Sequence, residues 1–351
     1  MATIRDVARE ASVSVASASR ALNAHDNVSL DLRARVEAAA AKLHYVPHSG
    51  ARSLTRRTSD AIGVLLPDLF GEYFSELIRG IDRVAHAHGK QLLLSNMHGN
   101  PHEAAHAVRA MRGRVDGLVV MTPDNARERL FEALSPVLPA VLLNCHAPTP
   151  GIASVGIDNE GAARTMTRHL VDRGYRRIAF VSGPRHNRDS MARLAGFRAA
   201  LATATGERDP IVIPGDFSES SGADAARLLI AGRLQIDAIF CANDMMAVGC
   251  CGVLAEAGIA IGDAVGVAGF DDIPIAHYVA PALTTMNVRI AELGATAAER
   301  VIALINGADI APETTILTPQ LVIRGSTRRG VADVPKPTDA LIRELQQGKL
   351  S

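Results

Sequence analysis

Residues 12–23, SVSVASASRALN, decide how the chain begins. They alternate serine with small apolar residues, yet lack the aromatic and branched mass of a strand and the long side chains of a stable free helix. Their neighbours supply the reading. Thr3 stands three residues before Asp6, the spacing of a capping box, and Ile4, Val7, Ala8 and Ala11 fall at i, i+3, i+4 and i+7. Ser14 is placed to cap a second helix whose inward face is Ala18, Ala21 and Leu22, and Ser29 a third with Leu32, Val36, Ala40 and Leu43 inward. Only Ala11, Ser12 and Val13 separate the first two helices, which forces a sharp corner. Small residues at Ala18 and Ala21 let the second helix pack close to the first, and Val15, Ala16, Ser17, Ser19, Arg20 and Asn23 are left facing outward. A slim helix showing short polar groups, one arginine and one amide suits a DNA major groove, where bulk clashes and hydrogen bonds are read. A small helical subdomain without a ligand is the plainer alternative, since this spacing has known false matches.

Charge distribution favours the first reading. The 351 residues carry 37 Lys/Arg against 37 Asp/Glu, a formal net charge of zero that would argue against nucleic acid if it were evenly spread. Residues 1–59 instead hold nine basic side chains and five acidic ones, so a mildly basic head sits on a mildly acidic body. A hydrophobic content of 48% and a mean hydropathy of +0.12 fit a compact globular protein. No run approaches the roughly 18 apolar residues of a membrane span. Arg5, Asp6, Arg9 and Glu10 stand where a signal peptide has its apolar core, so a cytoplasmic location is expected. Cys145, Cys241, Cys250 and Cys251 lie in apolar runs without CxxC spacing, which reads as buried free thiols and not as a zinc site or a disulfide framework.

From Ala61 the texture changes to apolar runs of strand length alternating with helical segments: AIGVLLPD, KQLLLSNM, VDGLVVMT, LPAVLLN, SVGIDN, RRIAFVSG, PIVIPGD, DAIFCAND and VGVAGFDD. Strand and helix at that spacing predict an α/β fold of doubly wound parallel sheets. The pattern runs once to about residue 158 and again to about 288, predicting two similar lobes with a cleft at the carboxyl ends of their strands. Residues 289–306 read as a helix, and TTILTPQLVIRGST as late strands for the lobes. The expected organisation is a three-helix helix-turn-helix head over 1–47, a polar, basic linker HSGARSLTRRTSD over 48–60, a two-lobed body over 61–330 and a flexible tail over 331–351. The tail is too short for the three or so heptads of a coiled coil.

TIRDVAREASVSVASASRALN, followed by VSLDLRARVEAAAAKLHYVPHSGARSL, resembles the lactose-repressor (LacI/GalR) family of bacterial transcription regulators. The similarity continues through IGVLLPD, GIDNEGAA, HLVDRGYRRIAFVSGP, CANDMMAVG, VAGFDDIPIA and PALTT, covering about residues 2–327. The resemblance implies a homodimer that sets two helix-turn-helix heads on a near-palindromic operator. The linker would then fold into a hinge helix, with Leu54 wedged into the minor groove and Ala51 beside it. Unstacking by such a wedge costs a few kcal/mol per step and is offset by contacts the bend allows. The family's base-reading positions fall on Val15, Ala16 and Arg20. The first two can sense only thymine methyls and groove shape, while Arg20 can reach a guanine or a phosphate. Thr3, Ser14, Ser17, Ser19 and Asn23 match contacts to the DNA backbone. Ser12 departs from a glycine frequent at the corner, and Ala18 from the commoner valine.

The body also resembles periplasmic sugar-binding proteins, which implies a small effector in the inter-lobe cleft. Such an effector would be coupled to DNA binding by about 1 to 3 kcal/mol. By match, the effector positions are Tyr73 and Phe74 after the first strand, Asn187, Asp189 and Arg193 after SGP, Phe217 in GDFSESSG, Asn243 in CAND and Asp271 in GFDD, with Asn144 a further candidate. Aromatic walls with Asp, Asn and Arg at the rim suit a neutral sugar, whose hydroxyls both donate and accept; a nucleobase or an organic acid is the other chemistry open. For each of these residues a purely structural strand-end role stands beside the functional one.

Enzyme readings fare worse. HEAAH at 102–106 matches the zinc-hydrolase pattern HExxH, but Asn100-Pro101 reads as a helix cap and first position, leaving His102 and Glu103 in the first turn. Arg109 and Arg112 stand where the longer motif has glycine and histidine, and Glu128 or Glu132 would be a distant third ligand. No GxxxxGK[ST] loop or GxSxG elbow occurs, so no enzyme activity, cofactor or metal is expected. A sugar-binding transport component is the remaining alternative, but it would leave residues 3–54 without a purpose.

Overall fold

The computed structural model describes residues 2–23, 28–45, 58–98, 100–121, 132–134, 138–145 and 151–329. Ala51 and Leu54, most of the linker, and the tail from 330 onward lie outside the described residues.

The head is three helices, α1 (Ile4–Glu10), α2 (Val15–Leu22) and α3 (Leu30–Lys42). Both halves of the capping box form at Thr3 and Asp6, and Ser14 and Ser29 cap α2 and α3. The core is built from Val7, Ala8, Ala11, Ala18, Ala21, Val36, Ala39 and Ala40. Alanine dominates it, which brings the helix backbones together but buries little apolar area per residue. Arg35 adds a tie by donating from Nη2 to the Ala11 carbonyl at 2.8 Å.

Among the described residues the body holds two parallel sheets. The first has six strands: β1 (Ala61–Leu66), β2 (Gln91–Asn96), β3 (Gly117–Met121), β4 (Ala140–Leu143), β5 (Ala153–Ile157) and, returning from far along the chain, β11 (Thr314–Leu317). Their order is β11-β5-β4-β3-β1-β2. Every residue of β1 is buried, because both faces of a parallel sheet are covered. Ile62, Val64 and Leu66 face α4 (Glu72–Ala87) and α10 (Ile290–Ile305). Ala61 and Leu65 face α5 (Pro101–Met111). At Gly80 and Gly294, α4 and α10 approach until backbone meets backbone; a Cβ at either position would strike the other helix's carbonyl.

The second sheet runs β7 (Val212–Pro214), β6 (Ile178–Ser182), β8 (Ala238–Cys241) and β9 (Gly266–Ala268), all parallel. Helices α6 (Asn159–Asp172), α7 (Arg188–Thr205), α8 (Glu219–Ile230) and α9 (Asp244–Glu256) complete this lobe. Phe180, Phe197 and Phe240 cluster at its centre, with Phe180 5.2 Å from each of the other two rings. An antiparallel pair, β10 (Thr285–Asn287) with β12 (Gln320–Val322), is joined to it by an isolated bridge between Ala268 and Thr284. The described chain passes between lobes three times, after β5, after β10 and after β11. The stretch TTILTPQLVIRGST thus divides: β11 goes to the first lobe and β12 to the second.

Among the described residues, Cys241, Cys250 and Cys251 are buried free thiols and Cys145 is half-buried. No described helix is long and apolar enough to cross a membrane.

Candidate functional site

On the head, α2 carries the exposed face. Val15 is 44% exposed despite being apolar, and Ala16 and Arg20 are exposed beside it. Arg20 Nε reaches back to the Ala16 carbonyl at 3.4 Å, so the guanidinium is held along the helix. Ser17, Ser19 and Asn23 are half-buried; Ser17 Oγ lies 2.9 Å from Ser14 Oγ, and Asn23 Nδ2 donates to Ser19 Oγ at 3.4 Å. Thr3 and Ser14 sit at the starts of α1 and α2, where their side chains accept from Asp6 N and Ser17 N. The corner residue Ser12 has φ 52°, the left-handed region that glycine enters without steric cost.

In the body, a cleft of about 630 Å³ opens between the lobes at the carboxyl ends of their strands. Tyr73, Phe74, Asn187 and Asp189 line it, as do Arg193, Phe217, Asn243 and Asp271. Asn144 does not; it stands behind the wall at the end of β4, donating from Nδ2 to the Tyr73 hydroxyl and to Asp189 Oδ2, both at 3.2 Å.

Arg193 organises the polar side. It is 3% exposed, lies over the Phe270 ring at 3.8 Å, and donates from Nε to Asn159 Oδ1 at 2.8 Å and from Nη1 to the Ala242 carbonyl at 2.5 Å. Nη1 also stands 3.2 Å from Asp271 Oδ1 in a buried ion pair, the one contact by which the protein meets that oxygen among the described residues. Asp271 is 6% exposed. Burial pushes its carboxyl up to about 7, with Arg193 opposing and Asp189 reinforcing the shift. Burial likewise raises the Tyr73 phenol, helped by Asp271 and Asp189. Asp244, buried behind Asp271, is also raised by burial.

Asn187 and Asn243 are helix caps as well as lining. Asn187 Oδ1 accepts from Ser190 N at 2.9 Å, and Asn243 Oδ1 from Met246 N at 3.0 Å. Asn243 Nδ2 donates to the Phe217 carbonyl at 3.0 Å, so its amide is used at both ends in holding the wall. The Phe217 ring lies over Gly183, where a Cβ would collide with it. Phe217, Asp271 and Asn144 all have positive φ, 75°, 113° and 50°. Such strain in non-glycine residues persists where the surrounding structure imposes it, which is common at binding sites.

Sequence reasoning did not single out Asn159, whose buried amide donates to Asp189 Oδ1 at 2.7 Å and accepts from Arg193. Nor did it name Asp68, Asp216 and Glu219, which line the cleft. Asp68 and Asp216 each follow a strand, a position that could have flagged them. For the HEAAH segment, Glu103 and His106 are exposed, and among the described residues no three His, Cys, Asp or Glu side chains gather to hold a metal.

Residues 3–48 match the model of bacterial regulatory proteins of the lacI family, and residues 167–327 match a periplasmic binding protein-like domain. The ribose operon repressor of Escherichia coli (strain K12) is 35% identical over 330 residues, 93% of this chain and 100% of the relative. The lac repressor dimer bound to operator and the anti-inducer ONPF superposes with a TM-score of 0.82 at 29% identity, covering 93% of this chain and 99% of that one. A LacI family regulator from Enterococcus faecium with bound ribose gives a TM-score of 0.70 at 27% identity, over 77% of this chain and 99% of that one.

Proposed function

The chain belongs to the lacI family of bacterial regulatory proteins, and we propose that it is a cytoplasmic, non-enzymatic repressor that binds a palindromic operator as a homodimer under the control of a sugar. The observation that carries this is the pairing, in one chain, of an exposed, capped helix after a tight corner with a polar and aromatic cleft between two lobes. Relatives supply the rest: the lac repressor structure is a dimer on operator, and the Enterococcus regulator holds ribose.

In this reading Val15, Ala16 and Arg20 meet the base edges. Thr3, Ser14, Ser17, Ser19 and Asn23 set the helix against the phosphates, and Ala51 and Leu54 act in the hinge. The effector lies between the rings of Tyr73, Phe74 and Phe217, with Asp189, Arg193 and Asp271 meeting its hydroxyls. Asn187 and Asn243 act by fixing the helix starts and the Phe217 backbone. Domain limits of 1–47, 48–60, 61–330 and 331–351 go with this division of labour.

The test is selection of bound fragments from randomised duplex DNA by the full-length protein at fixed salt, repeated with a panel of mono- and disaccharides. The expected result is an enriched palindrome whose recovery one sugar changes. Absence of any enriched sequence under every condition would overturn the DNA reading. Arg193→Ala and Asp271→Asn should remove the sugar response and leave operator affinity intact; survival of sugar affinity in both would overturn the cleft assignment.

A further inference from the structure

Six carboxyl side chains line the cleft among the described residues, those of Asp68, Glu72, Asp189, Asp216, Glu219 and Asp271, the last raised by burial and ion-paired with Arg193, against that one guanidinium and the imidazoles of His98 and His186. That guanidinium is engaged by Asp271, Asn159, the Ala242 carbonyl and the Phe270 ring. No lysine and no second arginine is among the described lining residues.

Helix N-termini, where proteins commonly hold phosphate and carboxylate ligands, are also taken. Four described helices begin at this cleft, and three of them carry a lining acid in the first turn: Glu72 in α4, Asp189 in α7 and Glu219 in α8. These side chains complement the helix dipoles that an anionic ligand would otherwise meet.

Two further features favour a donor, and a cationic one. Asp271 Oδ1, buried at the cleft wall, meets the protein through its ion pair with Arg193 at 3.2 Å and accepts from no other protein group. The rings of Tyr73, Phe74 and Phe217 also line the cleft, and an aromatic ring attracts a cation through its quadrupole.

We infer that the cleft selects its effector by charge: it takes a polyol without an acidic group, an amino substituent strengthens binding, and sugar phosphates and sugar acids are turned away. The inference rests on the sugar reading above and narrows it.

The experiment is isothermal titration calorimetry of the full-length protein at low, stated salt, with sets built on one ring. Suitable sets are glucose, glucosamine and glucose 6-phosphate; galactose, galactosamine and galacturonate; and ribose, its 5-amino-5-deoxy derivative and ribose 5-phosphate. On any ring that binds, the amino member should be about tenfold tighter than the neutral one and the acidic member about 100-fold weaker. Glu219→Gln, which removes one lining charge, should narrow the gap between amino and acidic members about threefold or more. An acidic member that matches its neutral parent, or an amino member no tighter than that parent, overturns the inference while the sugar reading stands. Silence from every member of every set overturns both.

Discussion

Asp271 should make this protein less stable as pH rises through neutrality, and Asp271→Asn should remove that dependence. The carboxyl is 6% exposed, and burial lifts its pKa from an ordinary 3.8 to about 7. A folded-state pKa raised above the unfolded value means that the native state holds a proton that the unfolded chain has released. The resulting contribution to stability is fully present below pH 3.8 and is lost as pH climbs through about 7. Each pH unit between those two values is worth about 1.36 kcal/mol, so the whole window amounts to about 4 kcal/mol. Between pH 5 and 6.5 the native protein should lose about 1.3 kcal/mol per pH unit from this one group. Arg193 remains charged throughout, so its cost in the variant does not vary with pH. The assay is urea unfolding of both proteins at half-unit steps from pH 5 to 8, plotted as the difference between wild type and variant. Titrations away from Asp271 cancel in that difference, whereas the Asp244 carboxyl, itself raised in part by Asp271, stays in it. A difference that stays flat would refute the argument, because it would mean that Asp271 is as ionised in the fold as in the unfolded chain.

Three other perturbations test other parts of the structure. Leu54→Ser should weaken specific operator binding by about 100-fold while changing salt-driven nonspecific binding by less than about threefold, since only the specific complex needs the wedge. Equal losses in a filter-binding comparison would end that role. Gly183→Ala should push the Phe217 ring off its seat, lowering effector affinity by about tenfold in calorimetry at a stability cost of about 1–3 kcal/mol; unchanged affinity would remove Phe217 from the wall. Ser12→Gly should relieve the left-handed backbone at φ 52° by about 1 kcal/mol, seen as slower amide exchange in α1 and α2, and exchange that quickens instead would contradict the strain.

The head was legible because its signals are local. Capping at Thr3, Ser14 and Ser29 and apolar spacing within a few residues predict α1 to α3 without knowledge of anything distant. Alternating apolar runs likewise predict parallel sheets, since β1 needs apolar side chains on both faces. The eight cleft residues were reached through family resemblance, and the structure brings all eight to one cleft. The acid surplus was not legible: Asp68 lies about 150 residues of chain from Asp216 and Glu219, and nothing in that spacing says that they share a cavity. Asn159 was missed for a related reason, since its role is to hold Asp189 and Arg193.

The same geometry explains how a small ligand can matter to lobes joined by three strands of chain. Among the described residues, two hydrogen bonds cross the cleft beside its aromatic wall: Glu72 Oε2 accepts from Ile275 N at 2.8 Å, and Asn144 Nδ2 donates to Asp189 Oδ2 at 3.2 Å. Each links a residue of the first lobe to one of the second, and Glu72 and Asp189 stand in the first turns of helices that open onto the cleft. A net hydrogen bond contributes about 1 kcal/mol, and one to a charged group about 1.5 to 3. That is the scale of the roughly 1 to 3 kcal/mol by which allosteric sites are usually coupled. An effector hydroxyl or amine that binds Asp189 beside Asn144 adds to the bridge and favours the lobe angle seen here. One that displaces Asn144 substitutes its own bond for the protein's and releases that angle. The direction of regulation therefore turns on whether the ligand shares Asp189 or takes it over.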